Sequence, residues 1–422
     1  MRRRAMSVPV HAALITLALA LSTAACRPGE QRAAEADTGP LIADSSGVRI
    51  VSDTAPAWGD RAPWTVAAEP TLDIGAPDFP FQGVGTLRRL GDGRLLVVNG
   101  VTQTINYFDR GGKLVRTVGG RGTEEGQFHG LGWVGLAPGD TVVAYDFIAR
   151  KLVLFDSKGT FARAADLRPA DPEVAAEPVA SYPDGSVLFR LMKRRGPLQV
   201  EPGTVVRDSA TYMRFDLTGS PVVLIGEFPQ GEYFGVRVRS GEPVVPFPLP
   251  YGLVTMAATR GDTTLVGTGA SFEIASFGPA GAPVGLLRAA ISRAPLTEEE
   301  ESTYTAAAIT RIRTGAKSLH TTLDSAFLRA LEHPPFPERK PAFGRLIVDA
   351  TGALWVSEPV TATALPTVWT IFAPDGDWLG RVTTPEGFRV DEIGADYILG
   401  VWRERHGGER VRSYPLTRGA AN

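Results

Sequence analysis

The chain has 422 residues, of which 43% are hydrophobic and 21% are charged, and its formal net charge is −2. Its 47 glycines and 33 prolines are typical of a turn-rich globular protein and exclude a disordered chain. The near balance of charges gives no indication of a basic face, so no nucleic-acid partner is predicted. Cys26 is the single cysteine, which excludes an internal disulfide and a thiolate metal cluster.

The first 25 residues have the composition of an export signal. Arginines at 2–4 give a basic start, and the apolar run 12–21 is too short to span a membrane as a helix. The small residues 22–25 before Cys26 resemble a bacterial lipobox. This resemblance implies that residues 1–25 are a lipoprotein signal peptide and that a lipid is attached to Cys26. The alternative is an ordinary secretory signal, and both readings predict export.

Residues 26–46 are rich in Ala, Glu, Asp and Gly and show no apolar period. This composition predicts a flexible tether. We therefore expect a protein that is lipid-anchored in the bacterial cell envelope through Cys26. Its folded domain, residues 47–422, would face the periplasm or the exterior. Gly47–Val51 is a candidate first strand of that domain.

The stretch from Leu87 to Leu167 is one unit written twice, with an offset of 47 residues and no gap. In each copy, two short β-rich runs end in Phe-Asp, and a glycine follows three residues after the Asp. Asp favours the start of a tight turn, and Gly favours its end. Each unit is predicted to be a four-stranded meander. A lone sheet of this size is too small to be stable, so the unit must recur along the chain.

The Phe-x-x-x-Gly pair recurs at Phe215/Gly219, Phe277/Gly281 and Phe372/Gly376. A sixth, weaker copy over 397–416 lacks a final outer strand, whereas Pro70–Gly75 has the sequence pattern of such a strand. We therefore predict an all-β fold, a six-bladed β-propeller closed by this N-terminal strand. Closure would limit the exposed sheet edges.

The linkers between the copies point to a family. The glycine-rich run 119–128, which ends in Gln127-Phe128, resembles the run that precedes each blade in NHL-type repeats, and residues 155–159 resemble the turn of that family. Overall, the chain is similar to the six-bladed β-propeller lipoproteins of the NHL-repeat-like (TolB-like) group. The resemblance implies the fold and, only loosely, a function.

Two insertions separate the repeats. Residues 228–251 are predicted to form an extended crossing loop, because their prolines cannot donate to a sheet ladder. Residues 295–335 are predicted to form a small helical hairpin. Its first helix begins at a capping box of Thr297 and Glu300 and runs to about 312, and its second helix covers 323–331. This hairpin is a lid, a docking surface or a structural plug.

No catalytic constellation is identified, and no catalytic residue, metal ligand or cofactor is predicted. Among the histidines, only His129 lies close to a predicted inner strand, where capping of a loop is favoured over metal binding. The glycines at 130, 132 and 135 have dinucleotide-binding spacing, but they lie in a predicted strand with no helix after it. Residues 375–377, Asp-Gly-Asp, coincide with the recurring turn, which is favoured over a calcium site.

Two functions are compatible with this inventory. The first is a monomeric, membrane-tethered binding module for a protein or a small molecule. The alternative is a metal-dependent propeller hydrolase or lyase, lactonase-like, that uses the central channel. The predicted inner strands, near Thr86, Trp133 and Arg345, are poor in carboxylates, which favours the binding module.

Overall fold

The computed structural model describes residues 39–59, 62–81, 83–193, 201–237, 241–318, 325–359, 366–404 and 408–419. The predicted signal peptide, residues 1–25, and the predicted lipidation site, Cys26, lie outside the described residues. The described part of the chain is mostly β-strand, as the predicted all-β class requires. Four strands precede the sequence repeats: β1 (Leu41–Ser45), β2 (Val48–Asp53), β3 (Trp64–Val66) and β4 (Leu72–Ile74).

The duplicated unit forms two antiparallel four-stranded sheets, as predicted. Sheet 1 contains β5 (Val84–Arg89), β6 (Leu95–Asn99), β7 (Thr104–Phe108) and β8 (Leu114–Gly119). Sheet 2 contains β9 (Leu131–Ala137), β10 (Thr141–Asp146), β11 (Lys151–Phe155) and β12 (Phe161–Asp166). The predicted turns have the expected chemistry: the backbone N–H groups of Gly111 and Lys113 each donate to Asp109 Oδ1 at 2.9 Å. Gly112 has φ of +85°, which a residue with a Cβ rarely adopts.

Sheet 3 has five strands: β13 (Val174–Ser181), β14 (Val187–Lys193), β15 (Val205–Phe215), β16 (Pro221–Arg237) and β17 (Val244–Pro248). The prediction of an extended loop over 228–251 is therefore wrong for most of that range. Gly235 of β16 pairs with Pro246 of β17. Because β17 is an edge strand, its prolines do not interrupt a ladder between two neighbours.

Sheet 4 contains β18 (Met256–Arg260), β19 (Thr263–Gly267), β20 (Glu273–Phe277) and β21 (Pro283–Ala289). The N-terminal hairpin extends this sheet, because β1 pairs with β2 and β2 runs parallel to β21, with Arg49 opposite Gly285. The candidate strand at 47–51 thus lies in β2 except for Gly47, which belongs to the turn before it. The predicted tether, residues 26–46, needs a correction at its end, where β1 is a strand with five exposed residues.

The predicted helical hairpin is present within residues 295–335 as α1 (Glu298–Ser318) and α2 (Ser325–Glu332). The capping box is formed as predicted: Thr297 N donates to Glu300 Oε2 at 3.1 Å, and Glu300 N donates to Thr297 Oγ1 at 3.3 Å. The first helix continues past its predicted end near 312. Across the described ranges, no helix has the length and apolar character needed to cross a membrane.

Sheets 5 and 6 complete the chain. Sheet 5 contains β22 (Leu346–Val348), β23 (Leu354–Ser357), β24 (Thr367–Phe372) and β25 (Trp378–Thr384). Sheet 6 contains β26 (Phe388–Ile393), β27 (Tyr397–Arg403) and β28 (Glu409–Arg418). Two N-terminal strands join sheet 6: β3 pairs with the end of β28, and β4 pairs with its start, with Asp73 opposite Arg412. The Asp73 carboxylate also accepts a hydrogen bond from Arg410 Nε at 2.6 Å.

The hydrophobic core of the described residues lies between neighbouring sheets. Separate clusters of buried side chains join sheets 1 and 2, 2 and 3, 3 and 4, 4 and 5, 5 and 6, and 6 and 1. The first strand of each sheet contacts the first strand of the next, and β26 contacts β5. We call these six first strands the inner strands. A seventh cluster packs Phe327 and Leu331 of α2 against Phe234 and Val236 of β16.

Candidate functional site

A cavity of about 410 Å³ opens between sheets 4, 5 and 6. Because the strands of each sheet are antiparallel, the start of an inner strand and the end of the next strand lie at the same edge of the sheet. The cavity is built at that edge: Arg345 precedes β22, Arg389 lies near the start of β26, and Arg403 ends β27. We call it the arginine cavity.

The wall of the arginine cavity is largely apolar. Phe343, Trp369 and Phe388 line it and are almost fully buried, since each also belongs to a cluster between two sheets. These rings are therefore held by the packing of the fold and are preorganised. A wall of this kind buries the apolar body of a ligand, while a few polar groups orient it.

Arg345 supplies one of those polar groups. Its Nη1 donates to the carbonyl oxygen of Val390 at 2.6 Å, and its Nη2 lies 3.9 Å from Asp391 Oδ1. Ser357 Oγ accepts a hydrogen bond from the Arg345 backbone N–H at 2.8 Å, which fixes the start of the strand. The Arg345 side chain is 43% exposed and lines the cavity.

The electrostatic environment of Arg345 is unfavourable for its own charge. Burial of the guanidinium lowers the pKa of Arg345, the Asp391 carboxylate opposes this effect, and the charges of Arg389 and Arg88 lower the pKa further. Arginine nevertheless stays protonated at physiological pH. An anion in the cavity would therefore stabilise a charge that the protein balances only in part.

Arg389 also lines the cavity and supplies a second guanidinium. Its Nη2 donates to Gly85 O at 2.7 Å and to Asp391 Oδ2 at 2.9 Å, so it links sheet 6 to sheet 1. Its Nε is buried and has no hydrogen-bond partner among the described residues. Two guanidinium groups, those of Arg345 and Arg389, thus share the single carboxylate of Asp391.

A β-bulge places that carboxylate. In the pairing of β26 with β27, Val390 is opposite Gly400 and Glu392 is opposite Leu399, which leaves Asp391 as the extra residue. A bulge redirects the side chain that it contains, and bulges are common beside functional sites. This one brings Asp391 within reach of both arginines.

The next residue, Glu392, lies in β26, which is one of the inner strands. Its Oε2 accepts a hydrogen bond from Arg89 N at 3.1 Å, and its Oε1 accepts one from the Tyr397 hydroxyl. Burial raises the pKa of Glu392, and the nearby charge of Arg88 opposes that effect. Glu392 is therefore a carboxyl group that ionises less readily than an exposed one.

Other residues singled out in the sequence lie elsewhere. The imidazole of His129 is 45% exposed, with its Nδ1 3.7 Å from Asp146 Oδ2. The loop is capped by Asp146, whose carboxylate accepts hydrogen bonds from the backbone N–H groups of residues 129, 130, 148 and 149. The predicted capping role of the histidine is therefore wrong. Thr86 donates to Gly132 O at 3.3 Å, between sheets 1 and 2. Within the described ranges, no group of three or more His, Cys, Asp or Glu side chains is placed to hold a metal ion.

The prediction that the inner strands are poor in carboxylates overlooked Asp391 and Glu392, because it did not include β26. A signal for that strand exists in the sequence. Gly394-Ala395-Asp396 before β27 corresponds to the turn that separates the first and second strands in the other copies. Counting one strand back from this turn leads to the carboxylates.

No family model matches the chain, and no curated protein matches it. Among solved structures, a member of the DUF4221 family from Bacteroides vulgatus is similar over 84% of this chain and 99% of its own, with 10% identity and a TM-score of 0.50.

Two further structures are similar at lower scores. The β-propeller domain of Cps50 (Swd1) from Myceliophteria thermophila matches over 83% of this chain and 99% of its own, with 12% identity and a TM-score of 0.39. Virginiamycin B lyase from Staphylococcus aureus matches over 84% and 99%, with 11% identity and a TM-score of 0.39. Because the identities are this low, the similarities concern the fold alone: the chain is a β-propeller.

Proposed function

We propose that this protein is a membrane-tethered, extracytoplasmic six-bladed β-propeller that binds a small organic anion in the arginine cavity. Three observations support a closed ring of six blades. A hydrophobic cluster joins sheet 6 to sheet 1, β26 contacts β5, and the N-terminal strand β4 pairs with β28. A ring of this kind shelters both faces of every sheet.

The NHL-repeat-like (TolB-like) grouping has a physical rationale in the linker 119–128. Phe128 is fully buried, and its N–H donates to Gly120 O at 2.9 Å. A Cβ on Gly119 would lie 2.8 Å from the Phe128 ring, so the linker needs a glycine where the phenylalanine packs. This contact supports our assignment of the glycine-rich run as the family's blade linker.

The binding proposal rests on one observation: two guanidinium groups that line an apolar cavity share one carboxylate. A ligand carboxylate would complete the charge balance of Arg345 and Arg389 through charge-assisted hydrogen bonds. Its apolar body would contact Trp369 and Phe388. The structure thus favours a carboxylate with an apolar or aromatic body.

Replacement of Arg345 tests this site. A panel of aryl and alkyl carboxylates, each paired with its neutral amide, would be titrated calorimetrically into wild-type protein. We expect carboxylates to bind better than their amides, and Arg345→Gln to weaken them roughly 10- to 100-fold through loss of a charge-assisted hydrogen bond. The control is Arg381→Gln, because Arg381 is exposed, pairs with Glu358 at 3.9 Å and does not line the cavity. Equal affinity of wild type and Arg345→Gln for every ligand would contradict the proposal.

The lipid anchor is tested separately at Cys26. We expect the wild-type protein, expressed in a bacterium that processes lipoproteins, to partition with the membrane and into the detergent phase. Cys26→Ala removes the thiol that would carry the lipid and should move the protein to the aqueous phase. The control Ser22→Ala keeps a small residue at its position and should not change partitioning. A wild-type protein found in the aqueous phase would exclude the anchor.

One observation favours the second candidate function, a metal-dependent hydrolase or lyase of lactonase type. Glu392 lies on an inner strand with a raised pKa, and such carboxyl groups serve as general acids or bases. If this function is correct, divalent metal ions should raise the melting temperature and a chelator should reverse the effect. A lactone should also be recovered as its hydroxy acid, because water breaks the ring ester bond, whereas a binding module returns the lactone intact.

A further inference from the structure

A second apolar cavity, of about 250 Å³, lies between the helical hairpin and sheet 3. All the side chains that line it are apolar or aromatic. Helix α1 contributes Tyr304, Ala308 and Ile312, helix α2 contributes Leu331, and strand β16 contributes Phe234. We call it the hairpin cavity. It shares no lining residue with the arginine cavity, so the two are separate spaces in the fold.

The chain at the end of β17 separates the two cavities. Pro248 and Pro250 line the hairpin cavity, whereas Leu249 and Tyr251 line the arginine cavity. The ring centroids of Tyr251 and Tyr304 are 6.0 Å apart, and Tyr304 lines the hairpin cavity. Tyr251 therefore stands in the wall between the two spaces.

The backbone of Tyr251 has a conformation that tyrosine rarely adopts. Its φ is +51°, in the left-handed region, where the Cβ of an L-residue comes too close to the backbone. Tyr251 is the third residue of a turn in which Gly252 N donates to Leu249 O at 2.9 Å, and glycine or asparagine is the usual residue where such a turn needs a positive φ. A large ring is thus kept where a small residue would be less strained. Backbone strain of this kind clusters at ligand sites.

The neighbouring chain holds Tyr251 in place. Leu249 N donates to Glu232 O at 2.9 Å, and Glu232 N donates to Leu253 O at 3.0 Å. The Glu232 carboxylate adds a third link, because its Oε2 accepts a hydrogen bond from Leu253 N at 2.8 Å. Tyr251 is itself buried, and Leu249 belongs to the hydrophobic cluster that joins α2 to β16. The ring of Tyr251 is therefore a fixed part of the cavity wall.

The order of the sheets places Tyr251 away from Arg389. Tyr251 lies on the connection that leads to β18 of sheet 4, Arg345 precedes β22 of sheet 5, and Arg389 lies in β26 of sheet 6. Strand β18 contacts β22, and β22 contacts β26. A ligand whose carboxylate is held by the two arginines and whose apolar chain extends toward sheet 4 would therefore meet Leu249 and Tyr251.

We propose that Tyr251 is the specificity-determining residue of the arginine cavity and limits the length of the carboxylate that binds there. This inference rests on the function proposed above. The wild-type cavity takes a carboxylate with a compact apolar body, because the Tyr251 ring ends the space available to the chain. The hairpin cavity lies behind that ring. A residue without a large side chain in its place would join the two cavities into one longer apolar space.

The test is the dependence of affinity on chain length, measured by calorimetry on the full chain with straight-chain carboxylates from butyrate to dodecanoate. Each methylene that is buried should raise the affinity by up to roughly fourfold. We expect the wild type to show this rise for the short members and then a plateau, where the chain meets the ring. Tyr251→Gly removes the ring and suits the positive φ. It should move the plateau to longer chains and raise the affinity for dodecanoate by about tenfold or more.

Three further variants identify the cause of the change. Tyr251→Phe keeps the ring and should keep the wild-type plateau. Ala308→Phe fills part of the hairpin cavity, so it should leave the wild-type series unchanged and should cancel the gain when it is combined with Tyr251→Gly. Tyr251→Asn also suits a positive φ and carries a smaller side chain, so it should shift the plateau in the same direction should the glycine variant fold poorly. Thermal melting of each variant checks the fold.

Two results would overturn the proposal and leave the proposed function intact. The first is binding that depends on Arg345 but reaches its plateau at the same chain length in the wild type and in both small-residue variants of Tyr251. The second is a wild-type affinity that rises through dodecanoate without a plateau. Failure of the proposed function looks different: no member of the series binds the wild type, or Arg345→Gln binds every member as the wild type does. The role of Tyr251 would then fall with that function.

Discussion

Glu392 is a carboxyl group whose surroundings disfavour its charge. Burial is the main cause of its raised pKa, and its hydrogen bonds from Tyr397 and Arg89 N, together with the charge of Arg88, only partly offset the burial. The native state therefore holds the proton of Glu392 more tightly than the unfolded chain does. By linkage, the contribution of this group to stability is greatest below about pH 4.5, its unfolded value, and falls as the pH rises through the native pKa.

Glu392→Gln should therefore stabilise the protein at neutral pH. The amide oxygen can accept from Arg89 N, and the amide nitrogen can donate to the Tyr397 hydroxyl oxygen. We expect the gain in the free energy of unfolding over wild type to grow from about pH 4.5 upward and then to level off above the native pKa. Each tenfold difference in the acid dissociation constant between the two states contributes about 1.4 kcal/mol. Urea unfolding at several pH values measures this gain.

The matched control at this scale is Glu358→Gln. Glu358 is half exposed and lies 3.9 Å from Arg381. An exposed pair of this kind contributes little to stability, so its replacement should give a small effect that varies little with pH. A stability difference for Glu392→Gln that is flat across the same pH range would contradict the buried-carboxyl interpretation.

At the scale of elements, the helical hairpin shows how a local signal and a tertiary contact act together. The capping box was readable in the sequence because its two hydrogen bonds join residues three positions apart. The place where the hairpin docks was not readable. Phe327 and Leu331 of α2 meet β16, and Tyr304 of α1 lies 6.0 Å from the ring of Tyr251, which lines the arginine cavity. This position favours a lid or a support of the cavity wall over a docking surface.

Removal of the cap tests the start of α1. Thr297→Ala loses the side-chain acceptor of the Glu300 N–H and should destabilise the helix locally by about 1 kcal/mol. Hydrogen exchange of the first-turn amides should then be roughly fivefold faster. The control is Thr303→Ala, an exposed position inside the helix, where alanine has the higher helix propensity and should not speed exchange. Unchanged protection in Thr297→Ala would show that packing, and not the cap, holds this end.

The proline-rich segment is the element on which sequence reasoning failed. Prolines at 246 and 248 argued against a strand, but β17 lies at the edge of sheet 3, where proline is tolerated. Whether a strand is central or at an edge depends on its neighbours. No property of residues 244–248 alone contains that information.

At the scale of the whole molecule, the N-terminal strands join parts of the chain that are more than 200 residues apart in sequence. Strand β2 pairs with β21, and Asp53 at its end accepts a hydrogen bond from Trp378 N in sheet 5 at 2.8 Å. Strands β3 and β4 pair with β28. Ile74 of β4 is buried in the cluster between sheets 6 and 1.

Two truncations test the role of β3 and β4 in closure. A chain that begins at Thr54 lacks β1 and β2, and a chain that begins at Ala76 also lacks β3 and β4. We expect the second truncation to be less stable than the first by more than about 3 kcal/mol, because β28 loses its partners and buried Ile74 is lost. Urea unfolding compares the two chains directly. Equal midpoints and slopes would show that these strands do not close the fold.

The sequence by itself determined the repeated unit, its turns and the start of α1. These features depend on residues a few positions apart: Asp109 and Gly112 make a turn through local hydrogen bonds and one positive φ, and Thr297 caps a helix within one turn. The match between Pro70–Gly75 and the outer strand of a repeat was also visible in the sequence, because it is a similarity between two short stretches of residues.

Only the tertiary structure decided which side chains meet. Arg345 precedes the first strand of sheet 5, whereas Arg389 and Asp391 lie in the first strand of sheet 6. The bulge that brings Asp391 to both arginines depends on the register between β26 and β27. The parallel pairing of β2 with β21 likewise places Arg49 opposite Gly285. Contacts over such distances depend on how whole sheets pack, and a pattern with a short period carries no information about that packing.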